Sequence, residues 1–141
     1  MSRPLVVLDT NVVVAAFRSR RGAAFRVVSA IGGAWFDIAI SVPLVVEYEA
    51  ALVAQRVREI SESDIRATLD YLCNVGREQR VYFLWRPTLR DPNDDMVLEL
   101  AVAARCAAIV TYNVRDFRGA ERFGIEIWRP ADLLRRVGLL T

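Results

Sequence analysis

The 141 residues suffice for one domain with a real hydrophobic core, and 54% hydrophobic against 26% charged side chains is an ordinary globular balance without a signature of disorder. The formal charge is only +2, yet the chain has no histidine and all 19 of its basic residues are arginine. Those absences exclude Ser-His-Asp and Cys-His catalysis, imidazole-held metals, paired-histidine nucleases, Schiff-base chemistry and the P-loop lysine, and leave carboxylates, hydroxyls, thiols and arginines to carry any chemistry.

In chain order, Leu5 to Leu8 is a continuous apolar run of the kind buried in a parallel sheet. Val12 to Phe17 is ambiguous: three successive valines favour a strand, while Asp9-Thr10-Asn11 can cap a helix. Ala23 to Ile31 reads as a helix stopped by Gly32-Gly33, and Phe36 to Ile40 as a second strand. Ser41-Val42-Pro43 opens a helix that runs to about Arg56, with serine as N-cap and proline in the first turn. Another helix is expected from Ser61 or Ser63 to Cys73 or Asn74, and Val81 to Leu84 is a short strand candidate. Asp91-Pro92-Asn93-Asp94-Asp95 signals a turn and a helix start, with acids at the positive end of the helix dipole, and that helix continues to about Arg105. Ala108 to Thr111 is a fourth strand, Glu126 to Trp128 a fifth, and Pro130-Ala131-Asp132 opens a terminal helix.

This alternation predicts an α/β/α sandwich of one domain, residues 1–141, around a parallel sheet of four to five strands. The apolar stretch after Met1 is too short for a signal peptide, and no apolar run approaches the roughly 18 residues of a membrane span. Cys73 and Cys106 lie far apart, without the spacing of a zinc ribbon or a disulfide scaffold, so a cytoplasmic protein is expected. Arginine is locally concentrated at Arg18, Arg20, Arg21 and Arg26, and again at Arg115, Arg118 and Arg122. Its planar fork suits phosphate, although a solvated surface in an arginine-favouring genome gives the same pattern.

Ligands of open parallel sheets bind beyond the carboxyl ends of the strands. Acids follow four strands: Asp9 the first, Glu47 on the helix after the second, Asp91, Asp94 and Asp95 after the third, and Asp116 after the fourth. Carboxylates gathered in one cleft repel one another unless a cation compensates, which points to a hard ion such as Mg²⁺ or Mn²⁺. Each acid also has a plainer reading. Asp9 can cap the next turn, at least one of Asp91, Asp94 and Asp95 is expected to cap its helix, and Asp116 can be a turn residue. On a helical wheel Glu47 shares a face with Leu44, Tyr48 and Ala51, whereas Glu49 points elsewhere. Periodicity does not choose among the aspartates at 91–95, because Met96 to Ala104 is apolar nearly all round.

Leu8-Asp9-Thr10-Asn11, Glu47, the run Asp91 to Ala101 and Val-Thr-Tyr-Asn-Val-Arg-Asp-Phe at 110–117 together resemble a PIN domain, closest to the VapC-like toxins of toxin–antitoxin pairs. The resemblance spans Leu5 to about Trp128. It implies Mg²⁺- or Mn²⁺-dependent cleavage of single-stranded RNA, inhibition by a small antitoxin protein, and a homodimer. It places the catalytic, metal-holding acids on Asp9, Glu47, Asp95 and Asp116, with Asp94 the near rival of Asp95 and Asp91 a further alternative. Thr10, Asn11, Thr111 and Asn113 would orient those acids, and Arg18, Arg20, Arg21 and Arg115 would meet RNA. Asn113 departs from the commonest pattern by standing where many members carry aspartate. That departure motivates a rival reading, a catalytically impaired module that binds RNA or a protein. A receiver-type signalling domain also gathers acids at strand ends, but needs a lysine this chain lacks.

Overall fold

A computed structural model describes residues 3–55, 60–81, 89 and 91–140. The first apolar run forms β1 (Leu5–Leu8), followed by α1 (Thr10–Arg18) and α2 (Ala23–Ala30). Then come β2 (Asp37–Ile40), α3 (Val42–Ala54), α4 (Glu62–Val75) and β3 (Arg77–Glu78). The chain continues through α5 (Pro92–Ala103), β4 (Ala108–Val110), two 3₁₀ turns (Val114–Phe117 and Ala120–Phe123), β5 (Glu126–Trp128) and α6 (Pro130–Arg136).

The ambiguous valine segment is helical. The Asp9 side chain caps it, and Val12, Val13, Val14 and Ala16 bury against the core, so capping and tertiary packing outweigh the valines' strand propensity. The strand candidate at 81–84 falls, from Tyr82 onward, outside the described residues, and Val81 is in no strand. The third strand is instead Arg77–Glu78, immediately after Gly76 ends α4. Its two exposed polar residues carry no apolar pattern to read.

All strand pairings are parallel, in the order β3-β2-β1-β4-β5. The central strand β1 is almost fully buried, with Val6, Val7 and Leu8 at 1% exposure or less, as a strand covered on both faces must be. One layer holds α1 against α2 and α3, α3 against α4, and α6 against α2, while α5 packs across β1, β2 and β4. The chain moves outward from β1 to β2 and β3, then returns to the other side of β1 to place β4. The strand order therefore reverses at β1, and the ends of β1 and β4, at Leu8 and Val110, mark the switch point beyond which such sheets bind ligands. Among the described residues no helix is long and apolar enough to cross a membrane.

Candidate metal centre

Asp9 is the first residue past β1. Its amide donates to the Val110 carbonyl at 2.9 Å, so β1 and β4 stay registered up to the acid. Both carboxylate oxygens are held: one accepts the Thr10 amide at 2.9 Å, the other the Thr111 hydroxyl at 2.8 Å. Thr111 follows β4 and is fully buried. Its oxygen accepts from the Asn113 amide at 2.9 Å and the Asn11 side-chain amide at 3.2 Å. Both of those neighbours can only donate to it, so the single hydroxyl proton is committed to Asp9. Asn11 also accepts the Tyr112 amide at 3.3 Å, tying the loop after β1 to the loop after β4. Of the four residues expected to orient acids, Asn11 and Thr111 use side chains, whereas Thr10 and Asn113 contribute backbone amides.

Burial pushes the Asp9 carboxyl above its ordinary range; Asp116 and Asp91 add to the rise, and the bonds from Thr111 and Thr10 oppose it. Asp94 is pushed up to about 7, first by burial and then by the charges of Asp9, Asp91, Asp116 and Asp95. Acids from three connections therefore feel one another: the end of β1, the start of α5, and the 3₁₀ turn after β4. No arginine ion-pairs with Asp9, Asp91, Asp94 or Asp116 among the described residues.

The start of α5 divides its three aspartates. Asp91 is the N-cap, accepting the Asn93 amide at 2.9 Å. Asp95 is buried and accepts the Leu89 amide at 3.0 Å, which fixes the chain entering the helix. Asp94 is the half-buried member whose carboxyl responds most to the other acids. Glu47 is half-buried on α3 beside the buried Leu44 and Tyr48, while Glu49 is exposed, as the helical wheel predicts. Glu47 is not among the charges that shift Asp9 or Asp94. Asp116 is exposed, its amide donating to the Asn113 carbonyl at 3.0 Å.

Among the described residues no three acidic or sulfur side chains sit together as a closed ligand set. The donors that do gather are all carboxylate oxygens, and their mutual repulsion is what a divalent cation relieves. Mg²⁺ keeps several of its waters and needs only one or two carboxylates, so an open arrangement of oxygens fits it. The thiols offer nothing here: Cys106 is buried, which pushes its pKa up to about 12, and Cys73 is exposed on α4.

The arginines divide as well. Arg115 is exposed, next to Asp116. Arg18 lies at the far end of α1, roughly 13 Å from Asp9 at 1.5 Å per residue, and donates to the Gln55 side chain at 2.7 Å. Arg18 and Arg20 border a groove of about 510 Å³ lined by Phe17, Phe25, Val28 and Ile60, at the end of α1 away from the acids. Arg21 is exposed.

Sequence reasoning placed Tyr48 only on a packing face. The structure gives it a polar task, since its buried hydroxyl donates to the Leu8 carbonyl. The available signal was chemical: a tyrosine on an apolar face still needs a partner for its hydroxyl.

Residues 5–115 match the family model described as PIN domain. In fold the chain is similar to a chain in the crystal structure of VapBC2 from Rickettsia felis bound to a DNA fragment from their promoter. The TM-score is 0.56 and the identity 16%, over 88% of this chain and 98% of that one, which makes the likeness one of fold. No curated protein matches the chain significantly.

Proposed function

The chain belongs to the PIN domain family, and from that premise we propose that it is a Mg²⁺- or Mn²⁺-dependent endoribonuclease cleaving single-stranded RNA, the toxin of a toxin–antitoxin pair. One observation carries the reading. Beyond the ends of β1 and β4, burial together with the charges of Asp91 and Asp116 raises the proton affinity of Asp9 and Asp94, and no arginine is paired to any of these four acids among the described residues. Such an arrangement costs stability in the free protein and gains its compensation from a bound cation.

Asp9 is the leading ligand, since its two oxygens are oriented by Thr10 and Thr111 before any ion arrives. For the third acid the resemblance favours Asp95, which is buried and accepts the Leu89 amide, whereas the half-buried Asp94, raised by burial and the neighbouring charges, is the ligand proposed here. Glu47 on α3 is proposed as a further ligand, and Asp116 is proposed to complete the set or to serve a second ion. A bound Mg²⁺ or Mn²⁺ supplies Lewis acidity, activating water for in-line attack on phosphorus and offsetting the charge that develops. Arg115, which directly precedes Asp116, is proposed to meet the strand beside these acids, and Arg18, Arg20 and Arg21 further along. Attack by water needs no 2′-hydroxyl, so the preference for RNA rests on the family rather than on the chemistry.

A small antitoxin protein is the proposed partner in the cytoplasm, by analogy with the VapBC2 structure, one chain of which shares the fold. A homodimer is also proposed, and Val42, Val46 and Val53, exposed along α3, offer apolar surface that either the second copy or the antitoxin would cover. A single-stranded RNA panel tests the reading directly. Cleavage with Mn²⁺, its loss in excess chelator, and a fall on the order of 100-fold or more in Asp9→Asn are expected, because losing even a group that only orients a ligand costs about 10–100-fold.

The second reading, a module that binds RNA or a protein without cutting, is favoured by Asn113 and by the absence of a closed three-acid set among the described residues. Such a module would hold RNA equally well in chelator and would leave every member of the panel intact.

A further inference from the structure

Strand β1 pairs with β4 as far as Leu8, but with β2 only through Leu5 and Val6. Past Ile40 the second strand has already turned into α3, with Ser41 as its N-cap. The Leu8 carbonyl is thereby left without a strand partner among the described residues, at a position only 1% exposed, where an unmet carbonyl is costly. The Tyr48 hydroxyl fills that vacancy by donating to it. The same peptide carries the Asp9 amide, which donates to Val110 on the opposite side. The peptide leading into Asp9 is thus gripped from α3 and from β4 at once. Tyr48 also directly follows Glu47, the acid that α3 brings.

We propose that Tyr48 is a positioning residue, whose hydroxyl ties α3 to the Leu8–Asp9 peptide and thereby sets the spacing between Glu47 and Asp9. Its relevance to a metal rests on the function proposed above; the tether itself does not. Burial and the Asp9 charge push the phenol's pKa upward, which keeps it a donor at any working pH. The tether explains why a buried aromatic here is tyrosine, since phenylalanine would fill the same volume and leave the carbonyl unmet.

Amide hydrogen exchange and Mn²⁺ titration by calorimetry on the wild type, Tyr48→Phe and Leu52→Ala test this. Leu52 is buried on the same helix and serves as a packing control. Tyr48→Phe should speed exchange at Asp9 and Thr10 about tenfold relative to the rest of β1. It should also weaken Mn²⁺ binding about tenfold, while Leu52→Ala shifts neither readout selectively. Wild-type exchange at Asp9 and Thr10 in Tyr48→Phe, or an equal local effect of Leu52→Ala, would overturn the proposal. If the wild type takes up no Mn²⁺, the metal reading fails while exchange still decides the tether. Should Tyr48→Phe not fold, the wild-type hydroxyl proton decides. Slow exchange with solvent and a coupling to the Leu8 carbonyl support the tether, and rapid exchange refutes it.

Discussion

Asp37, at the start of β2, and Asp9, just past the end of β1, sit at opposite ends of one parallel sheet and are neutralised differently. Asp37 is bracketed by Arg3 and Arg77, the latter at 3.2 Å, so the protein supplies its own counter-charge. Asp9 has hydrogen-bond donors but no arginine, and its acidic neighbours raise its proton affinity further. The chain has 19 arginines to spend, and none ion-pairs with the four mutually repelling aspartates among the described residues. The contrast separates an acid neutralised by the chain's own arginines from acids that no described arginine neutralises.

The contrast can be broken most sharply at Thr111. Thr111→Val keeps the shape but removes the donor to Asp9 and the acceptor for Asn11 and Asn113. Metal-dependent cleavage should fall about 10–100-fold. Thermal unfolding should show a loss of about 1–3 kcal/mol, because two buried or part-buried donors are left unmet.

Asp94 sharpens the comparison through pH. Its carboxyl, raised from 3.8 to about 7, keeps its proton in the folded chain over a range where the unfolded chain has lost it. The contribution is therefore fully present below about pH 4 and is lost as pH rises toward 7; Asp9, also raised, acts in the same direction. Metal-free Asp94→Asn should match the wild type at pH 4 and be the more stable at pH 7.5. The gain should be no more than about 1 kcal/mol, because solvent screens a partly exposed group. The same substitution should weaken Mn²⁺ binding, whereas Asp95→Asn, which keeps an oxygen for the Leu89 amide, should leave it largely unchanged. The smallest effect belongs to the other end of the sheet. Asp37→Asn should cost about 1 kcal/mol or less in thermal melts and leave cleavage unaltered.

Much of this was legible in the sequence for physical reasons. β1 is apolar throughout because both its faces are covered, and Asp9 ends it abruptly. Ser41 and Pro43 mark the start of α3, and Asp91 with Pro92 that of α5, because caps and first-turn prolines are local chemistry. Glu47 could be told from Glu49 because only one face of α3 carries Leu44 and Tyr48. What could not be read lacked a periodic signal. β3 is two exposed polar residues whose strand state comes from pairing with β2. Asp94 and Asp95 are adjacent on a helix apolar nearly all round, so only the position of Leu89 shows which one is occupied. The Tyr48 tether depends on how far β2 accompanies β1, a matter of register that no local pattern encodes.

The most direct test of the account is thermal unfolding at pH 7.5 with and without millimolar Mn²⁺, for the wild type and Asp9→Asn in parallel. If the uncompensated acids beyond β1 and β4 hold a cation, Mn²⁺ will raise the wild-type Tm and leave Asp9→Asn nearly unmoved. A wild-type Tm indifferent to Mn²⁺, or a rise of equal size in Asp9→Asn, would contradict the claim that these acids form a metal centre led by Asp9.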